Sequence, residues 1–332
     1  LLIFTLVTQN IYLNIETLEW DIASYLVASQ GLQDGTLPNE LQWESKGPIF
    51  IYMYHLFSLP AENMLVIFKL INDIMLFIVS VILFQIIISR SKDTTKALLS
   101  SLLFLMLMSQ VWAQSGYSEL YSLLFMSLAY YVIVNHRYRF SSYIIIGLLY
   151  SLSTLINQGT VIFIIAVLLS ESVLNNKRNY LRKMTYMGIG FVVPHLLFLV
   201  FYLINGLLDV YLATFLTIPF GYIQAQYSSF YELFVFSREL LEFNFFLYFT
   251  LLSLLVITFL NYLKPLTFKI RRIVFDFENL NIFFGLLFYF VGSHNYYHHL
   301  IFLMFYLTFL VPKLQFLDQK KFVYILIFIS SI

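Results

Sequence analysis

The sequence predicts an all-α fold, a polytopic helical bundle that lies in a membrane. Of its 332 residues, 60% are hydrophobic and only 11% are charged, whereas about a quarter of the residues in a soluble protein carry charge. The apolar residues form long runs without period-two alternation, and helices are the structures that satisfy their own backbone groups in lipid. Cysteine is absent, which excludes disulfides and thiolate metal sites. A net charge of +1 predicts no nucleic-acid partner.

The predicted spans are apolar stretches long enough, or nearly so, to cross a bilayer with about 20 residues. They lie at 64–89, 97–113, 119–135, 140–156, 159–175, 184–205, 240–263, 280–293 and 295–312. Stubs at 1–7 and 321–332 bring the expected number to about 10–11 transmembrane helices. The chain starts without Met and stops inside an apolar run, so we expect residues 1–332 to be one membrane domain truncated at both ends.

The charges divide between the two sides of the predicted bundle. Sixteen of the nineteen basic residues fall at alternate breaks between stretches, and twelve of the eighteen acids fall at the other breaks. Loops rich in Lys and Arg stay in the cytoplasm. The sequence therefore predicts a multi-pass protein of the plasma membrane whose acidic face is extracytoplasmic.

Two outer segments, 8–60 and 207–239, are longer than the inner connections, so we expect function on the outer side. In the first, residues 20–28 predict an amphipathic helix that ends at Gly31, and an apolar helix follows from Pro48 to Leu59. Both are expected to lie along the membrane interface.

Asp21 is the first candidate for chemistry, because a carboxylate at the start of an outer helix can act as a general base. Tyr25 lies one helical turn later on the same face. The alternative is that Asp21 only caps the helix, a role that Asp fills well.

Lys46 and Glu119 are the next candidates. Lys46 precedes Gly47 and Pro48, which predict a stiff turn before a helix, and its ammonium group suits a lipid phosphate. Alternatively, Lys46 forms a surface ion pair of little energetic value. Glu119 is the only acid in a short outer turn, and the alternative is a helix N-terminal charge favoured by the dipole.

Three histidines, His294, His298 and His299, lie in the last outer turn. No carboxylate lies near them in the sequence, so the spacing does not indicate a metal site. We expect them to hydrogen-bond a lipid phosphate or a sugar, the alternative being that they and the neighbouring tyrosines are interfacial anchors. His195 and Asp73 fall inside predicted spans and are expected to be functional or paired.

The order and sidedness of these elements resemble the GT-C fold membrane glycosyltransferases of the protein-mannosyltransferase and aminoarabinose-transferase group, which use polyprenyl-phosphate-linked sugars. The resemblance covers most of the chain. It rests on five elements: Asp21-x-x-x-Tyr25, Gly31 through Leu37-Pro38, Lys46-Gly47-Pro48, Ser118-Glu119, and His294 to His299 before a span ending in Pro312.

The resemblance implies a glycosyltransferase in which Asp21 is the catalytic base of an inverting transfer. It implies further that Glu119, with Tyr25, supports the acceptor site, and that Lys46 and the histidines hold the lipid phosphate. The family often has a second acid after the aspartate, whereas Ile22 follows here; we therefore assign no metal ligand, and the need for a divalent metal ion stays open.

The implied partners are a polyprenyl-phosphate sugar donor, membrane lipids, and a glycan, lipid or protein acceptor. Two other classes of function stay open from the sequence. One is a transporter or polymerase of lipid-linked glycans, and the other is a catalytically inactive membrane subunit. Transporters usually carry broken helices or paired charges near mid-membrane, whereas most of the predicted spans here are uncharged.

Overall fold

The computed structural model describes residues 1–9, 20–40, 46–59, 64–109, 116–136, 139–174, 177–221, 276–291 and 296–313. All regular structure within these ranges is helical, which confirms the predicted all-α class. The apolar stretch 240–263, the stub at 321–332, His294 and most of the segment 207–239 lie outside the described residues.

We number the described helices in chain order. They are α1 (Leu2–Gln9), α2 (Trp20–Gln30), α3 (Pro48–Ser58), α4 (Met64–Ser91), α5 (Thr94–Leu107), α6 (Ser118–His136), α7 (Phe140–Ile156), α8 (Ile162–Leu174), α9 (Lys177–Ile204), α10 (Leu208–Leu212), α11 (Phe277–Val291) and α12 (Leu300–Leu307). Short 3-10 turns follow α2, join α7 to α8, and lie on both sides of α12, and a short π-helical segment follows α10.

Two of these helices are long and apolar enough to cross a membrane, namely Val66–Ser91 of α4 and Arg178–Ile204 of α9. Six further apolar helical segments are shorter, at 10–17 residues. The observed helices follow the predicted stretches, but the last stretch, 295–312, opens with the turn Tyr297–His299 before α12 begins. His298 and His299 therefore lie in a turn, as the sequence predicted, although the predicted span began five residues before the helix does.

The long helices α4 to α7 run alternately up and down, and two polar groups of residues mark the opposite ends of the bundle. Arg90 near the end of α4 contacts Glu278 at the start of α11, and Tyr130 of α6 donates a hydrogen bond to the same carboxylate. We call this the basic end. The other end, called the site end, holds the start of α6 and the end of α7, where Glu119 and Asn157 meet.

Both helices predicted in the first outer segment are present. The turn Gly47–Pro48 starts α3 as predicted, with Pro48 in its first turn. Gly47 is required for its close approach to α7, since its N–H donates to the Ile156 carbonyl at 3.0 Å and a Cβ there would lie 2.0 Å from the Leu155 oxygen. The start of α3, and Lys46 just before it, is thus fixed against the end of α7.

An aromatic cluster joins these two short helices to the bundle. Tyr25 of α2 packs edge-on against Phe50 and Tyr54 of α3, with ring centroids 4.9 and 5.5 Å apart. Tyr54 in turn contacts Phe68 of α4, and Phe50 contacts Tyr121 of α6. Each such pair contributes about 0.5–1.5 kcal/mol beyond the burial of its area, so the packing holds α2 and α3 at the site end.

Gly190 allows α9 to pack tightly against α7, and its substitution tests this contact. A Cβ at position 190 would lie 2.0 Å from the Ile144 carbonyl oxygen, whereas nothing lies within 4 Å of a Cβ at Gly188 on the same helix. Small residues permit such close helix approaches in membrane proteins. We expect Gly190→Ala to force the helices apart and lower the melting temperature of the purified protein by several degrees.

Gly188→Ala is the matched control, and it should leave the melting temperature unchanged or raise it slightly, because Ala favours helix over Gly by about 1 kcal/mol. Equal melting temperatures for the two variants would contradict the packing described for α7 and α9.

Candidate functional site

Five residues that the sequence analysis singled out lie together at the site end. They come from α2, the turn before α3, the start of α6 and the turn before α12, and they are Asp21, Lys46, Glu119, His298 and His299. The possible ligand atoms of Glu119, His298 and His299 lie within 4.8 Å of one another. Segments separated by up to 278 residues thus supply one cluster.

Glu119 lies at the centre of this cluster and is completely buried. The Asn157 side-chain amide donates to its Oε1 at 2.8 Å, and the Ser118 hydroxyl donates to Oε2 at 3.2 Å. Lys46 Nζ lies 4.0 Å from Oε1. A buried carboxylate needs hydrogen-bond donors and a cation to offset its lost hydration, and both are present.

Asn157 is a site residue that the sequence analysis missed. It directly follows α7, where its Oδ1 accepts from the Gly159 N–H at 3.1 Å and its amide donates both to Glu119 and to the Ser118 hydroxyl. It therefore orients the carboxylate. The only signal in the sequence was a polar residue between two apolar stretches, a position at which Asn most often serves as a turn residue.

The backbone at Lys46 is fixed by contacts on both sides. Its carbonyl accepts from the Asn39 side-chain amide at 3.1 Å, and the next residue, Gly47, is bonded to the end of α7. The Lys46 side chain is 16% exposed. It is therefore a partly desolvated cation beside Glu119, not a surface ion pair.

The two described histidines are buried in the turn before α12. His298 stacks on Tyr117 with ring centroids 4.0 Å apart, and His299 Nε2 lies 3.8 Å from Glu119 Oε1. Among the described residues neither imidazole makes a hydrogen bond, and His299 Nδ1 is buried without a partner. Burial, together with the nearby Lys46, lowers the pKa of both rings, and His298 further lowers that of His299. Both imidazoles are therefore neutral near pH 7.

Asp21 is half-buried in the first turn of α2. Burial raises the pKa of its carboxyl, Lys46 lowers it, and Glu119 raises it again. Its carboxylate makes no hydrogen bond to the described part of the chain, so the capping role weighed for it is not seen there. A half-buried carboxylate with a raised pKa suits a general base.

Tyr25 lies one helical turn after Asp21 in α2. Its ring is buried in the aromatic cluster between α2 and α3, where it positions the helix that carries Asp21. His294 lies outside the described residues.

His195, in the middle of α9, is paired as expected for a polar residue in a predicted span. Its Nε2 is hydrogen-bonded to the Thr154 hydroxyl at 2.8 Å and its Nδ1 to the Tyr211 hydroxyl at 3.0 Å. These bonds join α9 to α7 and α10. Thr154 lies one turn before Asn157, so they also hold the end of α7 that faces the site.

Asn157→Leu tests whether Glu119 depends on the Asn157 amide. A hydrogen bond to a charged group contributes about 1.5–3 kcal/mol, and its loss leaves the buried carboxylate short of a donor. We expect the free energy of unfolding to fall by about that amount, as measured by denaturant unfolding of the purified protein. Asn135→Leu is the control, since exposed Asn135 donates only to the Tyr131 carbonyl in its own helix. An equal loss in both variants would contradict the role given to Asn157.

Comparison with known proteins does not identify a family for this chain. Neither a protein-family model, nor a curated protein, nor a solved structure matches the chain. The site's chemistry must therefore be argued from its own residues.

Proposed function

We propose that this chain is an integral-membrane glycosyltransferase that moves a sugar from a polyprenyl-phosphate donor to an acceptor hydroxyl. The observation that carries the proposal is the convergence of Asp21, Lys46, Glu119, His298 and His299 at one end of the bundle. The resemblance to GT-C fold glycosyltransferases selected these residues as candidates from the sequence alone. A chance set of surface residues would not be expected to meet around a buried carboxylate.

The proposed orientation places the site end outside the cell, in a multi-pass protein of the plasma membrane. In support, two helices are long and apolar enough to cross a membrane, and Arg90 and Lys183 take part in ion pairs with Glu278 and Glu171 at the opposite end. Basic residues favour the cytoplasmic side. A site on the outer face has access to lipid-linked donors and to acceptors of the cell envelope.

The proposed reaction needs one base and a cationic phosphate site. Asp21 takes the proton from the acceptor hydroxyl as its oxygen forms a bond to the anomeric carbon. The bond between that carbon and the phosphate oxygen breaks, and its electron pair leaves with the polyprenyl phosphate. Attack from the face opposite the phosphate inverts the configuration. Because the phosphate is a stable anion, no general acid is needed, in contrast to glycosidases.

The other residues support this step from fixed positions. Lys46 holds the phosphate as a partly desolvated point charge, and His298 and His299 line the same place. Glu119, held by Asn157, supports the acceptor side and the charge balance of the site. Positive charge beside the leaving group stabilises the negative charge that develops there in the transition state.

Asp21→Asn tests the base directly. Membranes that contain the full-length protein are supplied with a panel of radiolabelled polyprenyl-phosphate hexoses and pentoses, and transfer to endogenous acceptors is followed. We expect the rate to fall by about 10²–10⁴-fold, the usual contribution of a general base. Asp34→Asn is the control, because Asp34 is an exposed acid of the same outer segment, and it should keep the wild-type rate.

Wild-type transfer by Asp21→Asn would contradict the base assignment. No transfer by the wild type from any donor of the panel would contradict the enzyme proposal and favour a transporter or an inactive subunit.

The pH dependence of transfer provides a second test. Activity should fall as the pH drops through the raised pKa of Asp21, since the base must be deprotonated. Lys46 lowers that pKa, so Lys46→Met should move the acid limb of kcat/KM to higher pH, whatever its effect on the maximal rate. Lys96→Met, in an exposed ion pair with Asp93, should leave the limb in place. An unchanged limb in Lys46→Met would exclude Asp21 as the titrating base.

A further inference from the structure

Two buried imidazoles without hydrogen bonds are an unusual feature that the proposed reaction does not explain. His298 and His299 are 5% and 6% exposed, and among the described residues neither ring has a hydrogen-bond partner. Buried polar groups are nearly always paired, and an exception often marks a bound ion or water. The ring nitrogens therefore have bonding capacity that the described residues do not use.

The donor set around these rings fits a metal ion. One carboxylate oxygen and one nitrogen from each imidazole lie within 4.8 Å of one another. A small inward movement of these side chains, a small closure, would bring the three atoms to the spacing of tetrahedral metal ligands. Imidazole binds metal ions through a ring nitrogen in its neutral form. Two histidines and one glutamate form a known zinc ligand set that leaves a fourth position open.

The residues around the ligands hold them in fixed orientations. Asn157 and Ser118 donate to the two oxygens of Glu119, His298 lies on the Tyr117 ring, and His299 packs edge-on against Phe288. Such outer contacts orient ligands and raise metal affinity. These contacts restrict the orientations of the three ligands, so only the small closure remains when an ion binds.

We propose that Glu119, His298 and His299 bind one divalent transition-metal ion of the zinc class, with an open position directed to a phosphate oxygen of the donor. Imidazole ligands favour Zn²⁺ and its neighbours over Mg²⁺ or Ca²⁺, which prefer oxygen ligands. The sequence analysis assigned no metal ligand, because no carboxylate lies near the histidines in the chain; the fold supplies one from α6, 179 residues before His298.

The charge of the site also supports this assignment. This support rests on the proposed function, in which the site receives an anionic donor. Counted by formal charge with uncharged histidines, the two carboxylates and the one lysine give the five clustered side chains a charge of −1, which would repel a phosphate. One divalent ion changes this charge to +1. The ion would thus allow the same site to keep a carboxylate base and still receive an anionic donor.

Lys46 distinguishes this proposal from a simple anion site. Its ammonium lies 4.0 Å from Glu119 Oε1, so it opposes the binding of a second cation there. Lys46→Met should therefore bind the metal more tightly than the wild type, whereas a site built for phosphate alone would gain no metal affinity from this change.

The test measures metal binding to the full chain, purified in detergent and stripped with a chelator, without any donor. We expect the wild type to take up one equivalent of Zn²⁺ per chain, and Co²⁺ to produce visible absorption bands of a site with nitrogen and oxygen ligands. Glu119→Gln and His299→Ala should lose at least nine-tenths of the binding. His136→Ala, an exposed histidine at the other end of α6, should bind like the wild type.

Zn²⁺ uptake by Glu119→Gln or His299→Ala equal to that of the wild type would overturn the proposal, as would no uptake by the wild type. If the Glu119 and His299 variants fail to fold, Lys46→Met still tests the proposal, because it must bind Zn²⁺ at least severalfold more tightly than the wild type. A short-chain polyprenyl phosphate should then shift the Co²⁺ bands; unchanged bands would contradict the open position. A chain that binds Zn²⁺ but transfers no sugar would support the metal site and contradict the proposed function.

Discussion

The buried carboxylate of Glu119 is the constraint on which the rest of the site depends. A negative charge without water is stable only if donors and cations surround it, and here they come from the end of α7, the turn before α3 and the turn before α12. Each of these segments is fixed by its own contacts, such as the bond from Gly47 to Ile156 and the stacking of His298 on Tyr117. The buried charge therefore requires this packing, and the packing in turn holds the groups that stabilise the charge.

The opposite end of the bundle shows the same principle with other residues. Glu278 is buried beside Arg90 and Tyr130, and Glu171 pairs with Lys183 at 2.9 Å. In these pairs the carboxylate contacts a cation directly, so the charges cancel within each pair. At the site end Lys46 is farther away, and the Glu119 carboxylate faces two neutral imidazoles instead. The two ends thus differ in how the buried carboxylate is neutralised among the described residues.

The sequence predicted the helices well, because a long apolar run has few alternatives in lipid. The prediction for α7, 140–156, matches the observed helix, and Gly47 and Pro48 marked the start of α3 correctly. It was less accurate at the ends of the stretches: the last one was predicted at 295–312, whereas α12 begins at Leu300, after the turn Tyr297–His299. Composition does not fix such a boundary, since tyrosine and histidine occur both in turns and in helices.

The site residues that could be predicted from the sequence are those with ionisable side chains, including the two histidines of the turn before α12. Asp21, Lys46 and Glu119 stood out as isolated charges in apolar surroundings, and the structure brings them together. Asn157 did not stand out, because its importance comes from a contact with α6 that no local pattern records. Tyr25 was singled out by helical spacing from Asp21, and its ring packs in the aromatic cluster, where burial of its apolar surface stabilises the position of α2.

The position of the two histidines in the chain also determines when the site can exist during biosynthesis. Glu119, Asn157 and Lys46 can meet once α7 has been synthesised, yet the imidazoles lie some 140 residues farther along. Until the turn before α12 packs against α6, the Glu119 carboxylate lacks its two imidazole neighbours. A nascent chain that ends before His298 would therefore hold an incomplete cluster, so the cluster forms late in synthesis although its carboxylate appears early.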